Sequence, residues 1–254
     1  MTSEEQAKVD AVIGQIVAGN RILGNEGVCD AYGHISHRHP LDPTKLLLSR
    51  SRSPELVEPE DIMTIDFDGK PVDGRTDPMY YERFIHCGIY EARPDINCVI
   101  HSHARGVLAF TISDVKLVPV IHTGASCGCD IPVWDIETNF GATNLLVSNQ
   151  AQGRDLAKAL GKDGRVALMR GHGFAAAGRT LSEALRIAIY LPQNAQVQME
   201  ALQLGGRFKA LTAGEMEMRE AAGPDGSDIA RAMQYWARRA NCEHFLTYKR
   251  STGC

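Results

Sequence analysis

The sequence predicts an α/β fold in which helices flank a mixed or antiparallel sheet, built as a single domain. Three observations predict it. Segments with apolar residues at helical spacing alternate with short β-branched apolar runs. A hairpin signal, Asp68-Gly69, interrupts that alternation, which a purely parallel sheet would not show. The 254 residues are 44% hydrophobic, enough for a substantial core, and no Pro/Gly/Ser-rich stretch marks a linker.

The elements follow in order. Residues 4–23 form a helix, with Val9, Val12, Ile13, Ile16, Val17, Ile22 and Leu23 on one side, acidic residues in the first turn, and Gly24 as its stop. Residues 33–38 read as a short strand and 45–49 as a second. The run Ile62 to Phe67 alternates and enters Asp68-Gly69, which predicts a hairpin to Lys70-Pro71-Val72. A helix over 79–92 buries Phe84, Ile85, Ile89 and Tyr90 and ends before Pro94. Residues 97–103 form a strand that feeds a helix over 105–111. Strands are expected over 117–122 and 142–147, and a helix over 153–160. Val166 to Met169 is a buried strand that runs into Arg170-Gly171-His172-Gly173. A long helix covers 181–204, capped by Thr180 or Ser182. Two more helices fall near 214–221 and 227–240.

Composition excludes several function classes. A net charge of −4, with basic residues scattered and Arg238-Arg239 the densest pair, argues against nucleic acid as a partner. No segment approaches the roughly 18 to 20 apolar residues that span a bilayer. The opening MTSEEQAKVD is acidic and polar, unlike a secretory signal. The seven dispersed cysteines, Cys29, Cys87, Cys98, Cys127, Cys129, Cys242 and Cys254, read as free thiols in a reducing cytoplasm. Cys127 and Cys129 form a C-x-C that could hold a soft metal, but no second Cys or His pair lies near it in sequence.

The sharpest chemical feature is His101-Ser102-His103. Residues i and i+2 of a strand point to one face, so both imidazoles can grip one cation. The bland alternative is a half-exposed strand with two histidines. Glu82 and His86 sit at i and i+4 of the preceding helix, where a carboxylate could approach the metal as fourth ligand or base. A salt bridge from Glu82 to Arg83 or Arg93 is the alternative. Gly171-His172-Gly173 lets the backbone turn sharply and offers a third imidazole. Three imidazoles with an open position suit a catalytic metal.

In order and spacing these motifs resemble the class II aldolase/adducin family. The resemblance is carried by Glu82-x-x-x-His86, Ile89-Tyr90 with Arg93-Pro94-Asp95, Val99-Ile100-His101-Ser102-His103-Ala104, and Gly171-His172-Gly173. Gly33-His34-Ile35-Ser36 with Arg38 stands where the family has Gly-Asn-x-Ser. The likeness runs from about residue 8 to 205. Residues 206–254 form a helical extension that either covers a neighbour's active site or pads the core. The resemblance implies a class II aldolase-like α/β/α sandwich around a mainly antiparallel sheet. It also implies a homo-oligomer, usually a tetramer, with active sites at subunit interfaces. One divalent ion per subunit (zinc, manganese, iron or cobalt) would be held by His101, His103 and His172, with Glu82 as acid/base or further ligand.

The departures from the family's sugar-phosphate aldolases narrow the substrate. His34, Ser49-Arg50-Ser51 and Tyr80-Tyr81 replace the groups that cradle phosphate there, and Thr123 falls near the proton-donor tyrosine. An unphosphorylated anionic or aromatic substrate is implied. The changes resemble the branch of decarboxylases acting on hydroxylated aromatic acids such as dihydroxyphthalate. In that reading His34 is a second candidate acid/base, and Ser36 and Thr123 are candidate substrate contacts. Arg50 or Arg52 would bind a carboxylate through a planar fork, and Tyr80 and Tyr81 would wall an aromatic ring. Solvated loop arginines, a core tyrosine and a structural His34 remain open alternatives. Competing functions are an aldolase of an unphosphorylated hydroxy-keto acid, a non-haem iron oxygenase, and a non-catalytic adducin-like binding module.

Overall fold

A computed structural model of the protein describes residues 1–221, 223 and 227–250. Helix α1, Ser3–Asn25, starts at a capping box. Glu5 N donates to Thr2 Oγ1 at 3.2 Å, and Thr2 N donates to Glu5 Oε2 at 2.7 Å. The helix does not stop at Gly24. A Cβ there would lie 2.3 Å from Glu55 Cγ, so this glycine makes room for a side chain of the neighbouring loop. The chain turns at Gly27, whose φ of +68° is the left-handed conformation that suits glycine.

Strands β1 (His34–Arg38), β2 (Lys45–Ser49) and β3 (Ile62–Asp66) form an antiparallel meander. The expected hairpin after β3 exists in reduced form. Asp66 N donates to Lys70 O at 2.9 Å and Val72 N to Thr64 O at 3.0 Å, but Pro71 has no N–H, and the ladder shrinks to one bridge. Helix α2 (Arg83–Ala92) leads to strand β4 (Cys98–Ser102) and helix α3 (Arg105–Thr111). Then come β5 (Val133–Trp134), α4 (Glu137–Phe140), α5 (Gln150–Leu160), β6 (Val166–Met169) and β7 (Gly173–Gly178). Helices α6 (Leu181–Gln203), α7 (Ala213–Glu220) and α8 (Ser227–Arg239) complete the described α-helices.

The seven strands form one sheet in the order β3-β2-β1-β4-β7-β6-β5, antiparallel except between β5 and β6. Alternation along each strand splits the core into two layers. Ile35, Leu47, Ile100, Leu168, Phe174 and Ala176 pack toward α1, α3 and α6. Leu46, Leu48, Met63, Val99, Ala167 and Ala175 pack toward α2 and α5. The result is the α/β/α sandwich that the family resemblance implies.

Several elements differ from expectation. Strand β7 is an addition: Gly-Phe-Ala-Ala-Ala-Gly has weak strand propensity, yet it is buried throughout. Its small residues let neighbours close in, since a Cβ on Gly173 would lie 2.1 Å from Ser102 O and one on Gly178 2.6 Å from Ala184 N. Residues 117–122 are no strand. Buried amide side chains of α6 bind their backbone instead. Val120 N donates to Asn194 Oδ1 at 2.8 Å, Asn194 Nδ2 to Val118 O at 2.8 Å, and Val118 N to Gln198 Oε1 at 2.9 Å. Residues 142–147 form a loop in which Leu145 has φ +67°. Helix α2 begins only at Arg83, which leaves Tyr80 and Tyr81 in the turn before it.

Candidate active site

The strand order fixes the site. In the antiparallel register of β1 and β4, His34 lies opposite His101. His103 follows just past the end of β4, and the turn between β6 and β7 carries His172. Glu82 is the residue that caps α2. His101 Nε2 and His172 Nε2 lie 2.9 and 3.0 Å from His103 Nε2. Glu82 Oε2 is 3.4 Å from His101 Nε2 and 3.5 Å from His172 Nε2. One ligand atom from each of the four residues falls within 4.8 Å of the others.

The donor set fits a divalent cation. His101 Nδ1 is 3.0 Å from Phe174 O, and His172 Nδ1 is 3.0 Å from Leu145 O. A carbonyl only accepts, so both Nδ1 atoms carry hydrogen and both Nε2 atoms carry a lone pair. Two lone pairs and a carboxylate oxygen therefore converge, and His103 can bring at most one proton among them. Such a cluster is repulsive without a cation at its centre, and backbone carbonyls that orient ligand imidazoles are the usual support of a metal site. Leu145 holds its left-handed backbone where its carbonyl steadies His172, at a cost of roughly 1–3 kcal/mol.

Charge follows burial. Burial opposes ionisation of Glu82, but positive charge where His101 and His172 face it outweighs that effect and holds the carboxyl far below its ordinary range. Its other oxygen, Oε1, accepts from Val147 N at 3.3 Å. Burial pushes His103 down to about 4, helped by the neighbouring His101 and His172. Burial also drives His34 well below its ordinary value, with His86 and His101 adding to the effect.

A cavity of about 430 Å³ adjoins the cluster, walled by Tyr32, His34, Arg52, Tyr80, Tyr81 and His103. The Tyr80 ring sits 4.5 Å from the His34 ring. Its hydroxyl donates to Arg52 O, accepts from Arg52 N at 3.3 Å, and is 3.0 Å from Ser49 Oγ. Tyr80 therefore braces the loop that carries Arg52. Tyr81 is 74% exposed at the cavity rim.

The remaining sequence candidates are placed elsewhere. Arg50 is outside the cavity wall, and its Nε donates to Asp61 Oδ1 at 2.6 Å. Arg52 also reaches Asp61, at 3.3 Å, from the cavity side. Ser36 is fully buried and does not line the cavity beside the cluster. Its Oγ lies 2.6 Å from His86 Nδ1 and 2.9 Å from Tyr90 Oη, so it belongs to the scaffold behind His34. Thr123 lines a different cleft, with Arg186, Tyr190 and Trp236. Glu82 makes no ion pair with Arg83 or Arg93: Arg83 donates to Gly69 O and Tyr80 O, and Arg93 pairs with Asp95. The C-x-C diverges, with Cys127 buried and Cys129 exposed, and the six described cysteines are free thiols. Cys254 lies outside the described residues.

Residues 14–199 match the class II aldolase and adducin N-terminal domain. The chain belongs to the class II aldolase/adducin family. It is similar to the decarboxylase tropJ of Talaromyces stipitatus, 34% identical over 200 residues that cover 74% of this chain and 75% of that protein. It is also similar to the 3,4-dihydroxyphthalate decarboxylase of Arthrobacter keyseri, 29% identical over 206 residues that cover 77% of this chain and 81% of that one. In fold it is similar to the L-fuculose 1-phosphate aldolase from Glaciozyma antarctica, with a TM-score of 0.75 at 19% identity over 98% of this chain and 96% of the other. No described helix is long and apolar enough to cross a membrane.

Sequence reasoning missed Tyr32 and Asp61 beside the site, and it named His86 and Tyr90 without giving either a role there. For His86 a signal existed, since it lies one turn after Glu82. The helix, however, begins at Arg83, so Glu82 points to His101 and His172 while His86 points to His34 and Ser36.

Proposed function

We propose that the protein is a divalent-metal-dependent carbon–carbon lyase that decarboxylates an unphosphorylated, hydroxylated aromatic acid. The observation that carries this reading is the His101–His103–His172–Glu82 cluster opening beside a cavity walled by tyrosines and an arginine. Similarity to two decarboxylases, one of them named for a dihydroxylated aromatic diacid, supports it.

When bound, a divalent ion supplies Lewis acidity that withdraws charge from the reacting ring. The three imidazoles and Glu82 hold it, and zinc, manganese, iron and cobalt all suit such ligands. Arg52 binds the substrate carboxylate, and Tyr32, Tyr80 and Tyr81 flank the ring. As the carbon–carboxylate bond breaks, its electron pair stays on the ring carbon and carbon dioxide leaves. That carbon takes one proton. Both Glu82 oxygens are engaged, one among the ligand atoms and one with Val147 N, which favours Glu82 as fourth ligand and His34 as the proton-transfer group. The protein forms a homo-oligomer, in our reading a tetramer, in which a neighbouring subunit completes the cavity rim. Tyr32, Tyr81 and Ile112, 69%, 74% and 70% exposed, are the apolar groups such a contact would cover.

The test is incubation of metal-loaded protein with aromatic o-hydroxy acids. Carbon dioxide should appear in proportion to bound metal. A His101→Ala variant should lose both the metal and the activity. Pyruvate-type products from hydroxy-keto acids without carbon dioxide would replace this reading with an aldolase. Native protein free of metal would replace it with a binding module.

A further inference from the structure

Behind His34 runs a line of buried groups that no part of the lyase reading uses. His34 Nδ1 lies 2.6 Å from His86 Nε2, and His86 Nδ1 lies 2.6 Å from Ser36 Oγ. Ser36 Oγ lies 2.9 Å from Tyr90 Oη, which donates to Asn97 O at 3.3 Å. All four side chains are buried, so the line is closed to water along its length. Arg38 holds the far end still, with its guanidinium 4.9 Å from the Tyr90 ring centre and a 2.9 Å bond to Tyr90 O.

The line has two self-consistent proton arrangements. A neutral imidazole has one donor and one acceptor nitrogen, and each hydroxyl has one hydrogen. In the first arrangement Tyr90 donates to Asn97 O, Ser36 to Tyr90, His86 Nδ1 to Ser36, and His34 Nδ1 to His86 Nε2. In the reverse arrangement every hydrogen turns toward His34, and the Asn97 carbonyl keeps its 2.8 Å bond from Arg38 N but loses the Tyr90 donor. A carbonyl cannot donate, so only the first arrangement makes every hydrogen bond the geometry offers. It leaves Nε2 of His34, the nitrogen available to the cavity, as a bare lone pair.

We infer that His86, Ser36 and Tyr90 are positioning residues that lock His34 in its Nδ1–H tautomer and present Nε2 as a proton acceptor to a substrate hydroxyl. The inference rests on the proposed role of His34 in proton transfer. It also explains why Ser36, expected to touch substrate, faces inward. The partner on the second nitrogen of an imidazole sets which nitrogen carries the proton, and here that partner is itself set two residues further back. None of the three positioning residues lines the cavity.

The experiment uses zinc-loaded protein with ¹⁵N-labelled histidine, read by two-bond proton–nitrogen correlation spectra. His34→Gln identifies the His34 signals. In the native protein His34 should be a neutral Nδ1–H imidazole. Tyr90→Phe and Ser36→Ala each remove an acceptor from the line. A buried N–H or O–H without a partner is rarer than a buried acceptor without one, so both variants should shift His34 toward the Nε2–H form. Turnover number should fall roughly 10- to 100-fold with KM and zinc content unchanged. A native His34 in the Nε2–H form overturns the inference without any variant. So does an unaltered Nδ1–H form in both variants. The tautomer is read without substrate. If the shift occurs while no carbon dioxide is ever released, the positioning role stands and the lyase reading falls.

Discussion

His86 is held at about 3 by burial, with His101 adding to the effect, and His103 is held at about 4, whereas both titrate near 6.5 in an open chain. Below that value the unfolded chain binds protons that the folded one refuses. The folded pKa values are depressed, so their contribution to stability is complete above pH 6.5 and is lost as pH falls toward 4. Urea midpoints should therefore decline across that interval. A flat profile would mean that the imidazoles are not buried as described. Ligand protonation also releases the cation, so metal-loaded protein should show a steeper decline than protein treated with chelator. The clustering of the three histidines was readable in the sequence because their spacing carries their geometry: i and i+2 at a strand end, and a histidine between two glycines. Ser36, Tyr90 and Asp61 were not, because their roles depend on strand register and on which loop faces which. Ser36 in particular meets His86 only because α2 lies across β1.

At the scale of elements, two glycines decide how close α2 comes to α5. A Cβ on Gly88 would lie 2.2 Å from Gly153 C and O, and one on Gly153 would lie 2.1 Å from Phe84 O. The helices touch backbone to backbone. Alanine would gain about 1 kcal/mol in helix propensity. The clash, however, is with rigid backbone, and overpacking of this kind costs roughly 1–3 kcal/mol or more. Gly153→Ala should thus destabilise the protein by about 1–2 kcal/mol net in urea denaturation, and it should weaken zinc retention because α2 carries Glu82 at its cap. Unchanged stability would show that the crossing tolerates separation. Strand β6 was legible as a short apolar run, and helix α3 as the segment that the His101–His103 strand feeds. Strand β7 was not, because Phe-Ala-Ala-Ala gains its strand conformation from β4 and β6 on either side. Residues 117–122 looked like a strand because they are extended and β-branched, but Asn194 and Gln198 serve as their ladder. Asn194→Ala should cost about 2 kcal/mol, since it strips partners from two buried-side amides and a carbonyl. A variant as stable as the parent would mean that water takes over those bonds.

Across the whole molecule, the apolar rim of the cavity predicts association. Sedimentation velocity should show a species of four chains, and Tyr81→Glu should lower its mass. A monomer at all concentrations would remove the interface reading. A sheet flanked by helices was legible as alternation, but the order of strands was not, since β1 sits beside β4 rather than at an edge. One long-range feature has its effect on how the fold is made. Residues 236–250 close over α1. Trp236 and Ala237 join its core cluster, Phe245 O lies 2.0 Å from where a Gly14 Cβ would stand, and Arg250 N donates to Asp10 Oδ2 at 2.8 Å. During synthesis that side of the first helix stays bare until more than two hundred further residues have left the ribosome. Nascent chains arrested before Trp236 should accordingly bind holdase chaperones through the α1 segment, and release should coincide with emergence of the closing turn at Cys242–Tyr248.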